Sequence, residues 1–325
     1  MRVSEVAALL AISAIVAQGC GTGSAGGSTT KTGCSLPSTG GGLVRFVNAG
    51  TNSGNVDLCL RTNGTSDWGS PVLQGDGDTG ICGSGLGYAQ ATAPFSVPDG
   101  RLDFKVIPFG STCSAVASSE TDGAVIGAAT SSPVVTIVRA GGGSTAELLA
   151  ALTEDVGSGT ASTDDVRVVN ALASGTSVTF GVAASPNLPT TIQTSLYSSP
   201  IPPGAAPEPT AQTPLGPIDA SGYLQLGTVA VQVGIALSGQ SNAAIVITTA
   251  AGVGRQTLFA IGDPNDTTNQ HPVRGLYCQD VGTLEMSTDP HVDTEDAGID
   301  GALLAACTLT ELPVLTVDTR VLPAR

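Results

Sequence analysis

The chain has 325 residues and a formal net charge of −15, and only twelve of its residues are Lys or Arg. Nucleic-acid binding needs clustered basic side chains against phosphates, and this sequence excludes such a cluster, so no nucleic-acid partner is predicted. Hydrophobic residues make up 41% of the chain and glycine occurs 43 times, and short segments of Val, Thr, Ile and Ala between turns favour strands over helices.

The amino terminus has the pattern of an export signal. Met1-Arg2 precedes an apolar run from Val6 to Ala17, which is shorter than the roughly 20 residues that a bilayer core requires. The run ends at Gly19-Cys20 and resembles a bacterial lipoprotein signal, in which the Cys receives the lipid. We therefore predict a signal peptide over residues 1–19 and a membrane attachment through lipid on Cys20. The alternative is an ordinary secretory signal in which Cys20 has no role.

One short sequence occurs twice and divides the rest of the chain. Leu43-Val-Arg-Phe-Val-Asn-Ala49 returns as Asp165-Val-Arg-Val-Val-Asn-Ala171. Each copy opens a segment of similar length, which indicates a tandem of two related units. The predicted organisation is a flexible Gly/Ser/Thr tether over residues 20–42, a first domain over 43–157, a second domain over 163–283 and an acidic tail over 284–325.

Alternating segments predict the strands of the first unit. Leu102 to Val106 alternates strictly, so its apolar residues should face a core while Asp103 and Lys105 face water. Ala146 to Leu152 has helical propensity, but its place in the repeat predicts a closing strand.

Matching segments predict the strands of the second unit. Val229 to Val233 is expected to repeat the alternation of Leu102 to Val106, and Gln256 to Gly262 resembles Val135 to Gly141. Short strands at regular spacing with turns between them favour an all-β sandwich with antiparallel sheets.

The cysteines predict disulfides. There are seven, and apart from Cys20 they form an even set: Cys34, Cys59, Cys82, Cys113, Cys278 and Cys307. An even number in an exported chain implies three disulfides, for which fifteen pairings are possible. Cys278–Cys307 is the natural late pair, because the other cysteines are far away in sequence. The chain has two His and no CxxC pair, which argues against a zinc cluster, and no cofactor is predicted.

The first unit also resembles a bacterial surface family known as domain of unknown function 4397. The matching segments are Val44–Ala49, Val56-Asp57-Leu58, Leu86-Gly87-Tyr88 and Pro98-Asp99-Gly100. The second unit keeps Val166–Ala171 and then departs from the pattern, with Phe180 where a Val-Asp pair is expected. The resemblance covers about residues 42 to 283.

This resemblance implies two tandem immunoglobulin-like antiparallel β-sandwich domains, often lipid-anchored, and brings no activity or catalytic residues. Related units that carry a Cys in the second strand often carry another soon after the alternating strand. The resemblance therefore implies a Cys59–Cys113 bond, which leaves Cys34 for Cys82.

The acidic stretch from Glu285 to Asp300 is the one candidate metal site. Hard cations such as calcium prefer several carboxylate oxygens in a flexible loop. The spacing does not match the twelve-residue calcium loop, so a solvated acidic loop is the alternative. The candidate ligands are Asp289, Asp293, Glu295, Asp296 and Asp300.

Catalytic patterns are not found in the sequence. No Ser occupies a G-x-S-x-G elbow, and His271 and His291 lie in polar loops. Because glycan sites usually offer exposed aromatic rings, Trp68 and Tyr197 are candidates, with a loop anchor as the alternative for Trp68. We expect a non-catalytic protein, exported and lipid-anchored to the outer membrane or cell surface, with a structural or partner-binding role towards an envelope protein or glycan. The alternative is a secreted hydrolase or glycan-active enzyme on a β-sandwich.

The tail contains apolar residues that favour burial. We expect the Cys278–Cys307 bond to clamp it onto the second domain, with Leu312 to Val317 as an added strand or edge cover.

Overall fold

The computed structural model describes residues 41–52, 54–73, 85–92, 94–127, 134–153, 164–249, 254–280 and 307–309. These residues form an all-β structure that belongs to one compact unit. Among them, no helix is long and apolar enough to span a membrane. The predicted signal peptide and Cys20 lie outside the described residues, as do all five candidate calcium ligands and Leu312 to Val317.

The N-terminal half, residues 41–153, contains two sheets in the part that the structure describes. Its strands are β1 (Gly42–Asn48), β2 (Val56–Thr62), β3 (Gln90–Ala91), β4 (Phe95–Val97), β5 (Gly100–Pro108), β6 (Ser119–Ile126), β7 (Val135–Gly141) and β8 (Glu147–Thr153). The first sheet has the order β3-β1-β7-β8, with β4 also paired to β1. The second sheet has the order β2-β5-β6.

The C-terminal half, residues 164–309, repeats this plan with additions. Its strands are β9 (Asp164–Leu172), β10 (Val178–Ala183), β11 (Ile192–Ile201), β12 (Gln212–Thr213), β13 (Gly216–Pro217), β14 (Leu224–Gly227), β15 (Gln232–Leu237), β16 (Ile245–Thr248), β17 (Gly254–Gly262), β18 (Arg274–Gln279) and β19 (Cys307–Leu309). One sheet has the order β14-β9-β17-β18-β19, another has the order β11-β10-β15-β16, and β12 and β13 form a small hairpin.

The two copies of the repeated sequence form β1 and β9, and both pair in parallel. β1 runs parallel to β7, with Arg45 opposite Thr136, and β9 runs parallel to β17, with Arg167 opposite Thr257. The prediction of purely antiparallel sheets is therefore wrong. In each half, strands of the other sheet lie in sequence between the two parallel strands, β1 and β7 or β9 and β17. A parallel pair requires a long connection of this kind.

Each half packs two sheets in a sandwich-like arrangement around its own apolar core. The core of the N-terminal half includes Val44, Phe46, Leu58, Phe104 and Ile137. The core of the C-terminal half includes Val168, Phe180, Leu196, Ile235 and Leu258.

A third apolar cluster joins the halves, and we call it the junction cluster. In the N-terminal half, β1 and β7 contribute to it the side chains that point away from the core of that half. In the C-terminal half, β9, β17 and β18 contribute the side chains that point away from the other core. The two mixed sheets therefore lie back to back, and the described parts of β7 and β17 are buried along their whole length. The cluster includes Val47, Val138, Val169, Phe259 and Leu276.

The face of β5 that was predicted to meet water is covered. Leu102, Phe104 and Val106 are buried as predicted, but Asp103 and Lys105 are also only 1% and 5% exposed. Alternation identified one apolar face correctly, and it could not show that loops of the same half cover the other face.

Two further strand predictions have opposite outcomes. β8 covers residues 147–153, so the strand predicted against local helical propensity is confirmed. The strand predicted at Val229–Val233 begins instead at Gln232, and Val229 is 65% exposed. The strand continues to Leu237 with its four middle residues buried, and its register is set by pairing with β10, which places Val178 opposite Leu237.

Candidate functional site

Two disulfides are described, and both are among the pairs predicted from the sequence. Cys59 of β2 is bonded to Cys113, and Cys278 of β18 is bonded to Cys307 of β19. The third predicted pair, Cys34–Cys82, lies outside the described residues. Disulfides form and persist in oxidising compartments, so these two bonds indicate an extracytoplasmic protein.

The Cys278–Cys307 bond attaches the described part of the tail to the C-terminal half. β19 pairs antiparallel with β18, with Cys307 opposite Cys278 and Leu309 opposite Leu276. β19 covers the edge that β18 would otherwise present. The segment that covers this edge is residues 307–309, and the expected role of residues 312–317 remains a prediction.

Trp68 is held by its own half. The Arg61 guanidinium carbon lies 4.1 Å from the centroid of the indole ring, and Lys105 Nζ lies 4.5 Å from it. The ring also packs against a small cluster that contains the Cys59–Cys113 bond. These cation–π contacts occupy the ring as a loop anchor, which was the alternative to a glycan platform.

Tyr197 is a core residue. It is 6% exposed, and its ring stacks on Phe180 with 5.8 Å between centroids. Its hydroxyl accepts a hydrogen bond of 3.1 Å from the backbone N–H of Glu208. This bond ties the loop around Glu208 to the C-terminal core.

Asp103 is the centre of a buried polar cluster beside Trp68. Its Oδ2 accepts a 2.9 Å hydrogen bond from Arg61 Nε, and its Oδ1 accepts bonds from Asn63 Nδ2 at 2.6 Å and Gly123 N at 2.8 Å. Burial alone raises the pKa of this carboxyl, but the bonds from Asn63, Gly123 and Arg61 outweigh it and hold the pKa below its usual value. Asp103 therefore stays ionised and ties β2, β5 and β6 together.

A buried ion pair crosses the junction between the halves. Arg45 Nη2 of β1 lies 2.7 Å from Asp280 Oδ1, and both side chains are almost fully buried. Asp280 Oδ2 accepts hydrogen bonds from the hydroxyls of Tyr223 and Thr257. Arg45 also donates from Nε and Nη2 to Thr136 Oγ1, at 3.3 and 3.2 Å. Both charges thus have the partners that a buried ion pair needs.

The equivalent arginine of the second repeat makes the reverse connection. Arg167 donates from Nη1 to the carbonyl oxygen of Thr153, at the end of β8 in the N-terminal half, at 2.9 Å. It also donates from Nε to Thr257 Oγ1 at 3.2 Å, as Arg45 does to Thr136. From the sequence alone, the repeated Val-Arg is only a marker of the repeat. The signal that could have revealed its role was an arginine at the same position of both copies in a chain with few basic residues.

A polar groove lies beside β11, at the edge of its sheet. It has a volume of about 310 Å³, and its lining has no ionisable group other than the phenol of Tyr197. The exposed serine hydroxyls and the Gln212 amide can exchange hydrogen bonds with a polar, uncharged partner surface. The lining consists of Ser195–Ser199 of β11 together with Ala211, Gln212 and Pro214.

Metal ligands are not clustered in the part of the chain that the structure describes. The described residues contain no cluster of three His, Cys, Asp or Glu side chains able to hold an ion.

His271 packs edge-on against Tyr88 of the N-terminal half, with 4.7 Å between ring centroids. Burial raises the pKa of Tyr88 far above its usual value. His271 thus contributes to the contact between the halves.

No known protein family matches the chain, and no curated protein is significantly similar to it. The resemblance to domain of unknown function 4397 stays a prediction.

Proposed function

We propose that the chain is a non-catalytic, lipid-anchored protein of the bacterial cell envelope with a partner-binding role. In this proposal two tandem immunoglobulin-like domains act as one rigid support, carried on a flexible tether that begins at Cys20. The two disulfides and the predicted signal support the extracytoplasmic location.

The observation that carries the proposal is the reciprocal pair of arginines at the junction. Arg45 reaches Asp280 in the other half, and Arg167 reaches the Thr153 carbonyl in the opposite direction. A hinge motion at this junction would have to separate the Arg45–Asp280 pair, the Arg167–Thr153 bond and the apolar junction cluster together, which favours a fixed arrangement of the two halves. A support that keeps its two halves in fixed relation suits the presentation of a surface to a partner.

We propose the β11 groove as that surface and a protein as the partner. The Trp68 ring faces Arg61 and Lys105 and the Tyr197 ring stacks on Phe180, and these contacts within each half favour a protein over a glycan as the partner. A rim of serine hydroxyls and an amide fits hydrogen bonding to peptide groups. The strongly negative chain favours a partner surface that is neutral or basic.

The test is affinity capture from the native cell envelope with the full-length chain as bait. Ser198→Arg places a large charged side chain in the groove, and Ser66→Arg makes the same change at an exposed serine of the N-terminal half. We expect one envelope protein to be retained by the wild type and by Ser66→Arg and to be lost with Ser198→Arg. Equal capture by both variants would exclude the groove. Turnover of ester or polysaccharide substrates by the purified chain would overturn the non-catalytic role.

A further inference from the structure

Asn63 and Gly64 form the chain's one Asn-Gly dipeptide. We propose that Asn63 is a site of spontaneous deamidation whose product disrupts the Asp103 cluster. In this reaction the backbone nitrogen of Gly64 attacks Cγ of Asn63. A new C–N bond forms, Nδ2 leaves as ammonia, and a five-membered succinimide results. Water then opens the ring to aspartate or isoaspartate. Because glycine has no Cβ, it offers the least steric resistance to this attack.

The local structure leaves this dipeptide accessible to water. Asn63 and Gly64 are exposed at the centre of a turn that closes with a 3.0 Å bond from Thr65 N to the Thr62 carbonyl. Gly64 has φ of +82°, and no heavy atom lies within 4 Å of the position where a Cβ would stand. The open space around Gly64 leaves the turn room to rearrange for ring closure.

The amide that would be lost has a specific structural role. Asn63 Nδ2 donates to Asp103 Oδ1 across only 2.6 Å, and Asp103 is 1% exposed. Deamidation replaces this donor by a carboxylate, so two like charges would face each other where a hydrogen bond stood. Arg61 and Gly123 still hold Asp103 ionised, so proton sharing between the two carboxylates is opposed.

The isoaspartate product would add a second disturbance. It lengthens the backbone by one methylene inside the turn that joins β2 to the following loop. The Asn63 backbone N–H donates to the Arg101 carbonyl at 2.9 Å, so the lengthening acts next to a contact between β2 and β5. The modification is therefore coupled to the β2-β5-β6 sheet, and the Asp103 contact restrains Asn63 until the turn opens locally.

The first experiment locates the reaction. The full-length chain is incubated in mildly alkaline buffer, and proteolytic peptides are followed by mass spectrometry. We expect the peptide that contains Asn63 to gain the mass of an amide-to-acid conversion before any other asparagine peptide of the described residues. The reaction should be faster in the reduced, denatured chain, and Asn63→Gln should abolish this product. Earlier modification of another asparagine, or an unchanged Asn63 when the denatured chain has fully reacted, would overturn the proposal.

The second experiment measures the structural consequence without waiting for the reaction. Asn63→Asp supplies the aspartate product directly, and Asn187→Asp makes the same charge change in an exposed turn of the C-terminal half. We expect the urea midpoint of unfolding to shift to lower urea for Asn63→Asp and to remain at the wild-type value for Asn187→Asp. Equal midpoints for the two variants would refute the coupling to Asp103.

Discussion

Arg45 and Asp280 form an almost fully buried ion pair with 2.7 Å between Nη2 and Oδ1, although they belong to different copies of the repeat. The pair joins the first strand of one half to the end of β18 in the other. The Arg45 guanidinium carbon lies 5.8 Å from the ring centroid of Phe259, a member of the junction cluster, so polar and apolar contacts close the same surface.

Loss of the Arg45 charge should weaken the whole described structure. We expect Arg45→Met to lower the free energy of unfolding by about 3–5 kcal/mol, because Asp280 is left as a buried charge without its ion-pair partner. Urea denaturation and limited proteolysis between the halves would measure the effect. Arg101→Met, at an exposed arginine of β5, is the matched control. A loss no larger than that of the control would show that the pair does not hold the junction.

Trp68→Ala separates the loop-anchor role from the glycan role. As a loop anchor, the ring packs on the Cys59–Cys113 cluster, so its removal should lower the free energy of unfolding by up to about 3 kcal/mol. This is the lower end of the range for buried tryptophans, because Trp68 is partly exposed. Thermal unfolding would report the loss. If the variant kept its stability and lost binding to a glycan array, the ring would be a binding platform.

The Asp266 carboxyl should make stability depend on pH in acid. Hydrogen bonds from the Thr268 side chain and the His271 backbone lower its pKa from 3.8 to about 2. A lowered folded-state pKa gives stability that is present above the unfolded value and is lost as pH falls through the folded value. We expect Asp266→Asn to flatten the melting temperature between about pH 4 and pH 2 relative to the wild type. Identical pH profiles would contradict this role.

The Cys278–Cys307 bond should stabilise the C-terminal half. It joins residues 29 apart in sequence, and closing a loop of that size is worth about 3–4 kcal/mol in the chain-entropy model. The double variant Cys278→Ala, Cys307→Ala should therefore melt lower, and truncation after Asp280 should expose apolar surface to a hydrophobic dye. An unchanged melting temperature in both variants would mean that the tail adds no stability.

The mature protein should begin at Cys20 and carry a lipid on that residue. We expect mass spectrometry to find a lipid-modified Cys20 as the first residue, and Cys20→Ala to move the protein from the membrane to the soluble fraction. An unmodified terminus at another residue would exclude lipid anchoring at this position.

The sequence by itself determined the strand content and the repeat. Composition favours strands throughout, and the doubled Val-Arg segment marks β1 and β9 without any structural knowledge. The place of β8 in the repeat was enough to override its helical propensity, because a local preference is weak against tertiary pairing. The late cysteines predicted the Cys278–Cys307 bond by sequence separation alone, but the sequence analysis placed the added strand at Leu312 to Val317 and did not predict β19.

Only the tertiary structure decided which strands pair in parallel, what covers the second face of β5 and what the repeated arginines bind. Alternation reports which side chains share a face, and it carries no information about what packs against the other face. Asp103 and Lys105 are therefore buried by loops that no periodicity encodes. In the sequence, Arg45 and Arg167 are ordinary polar strand residues. The two mixed sheets pack back to back and bury both guanidinium groups, and each then bonds to an acceptor in the other half.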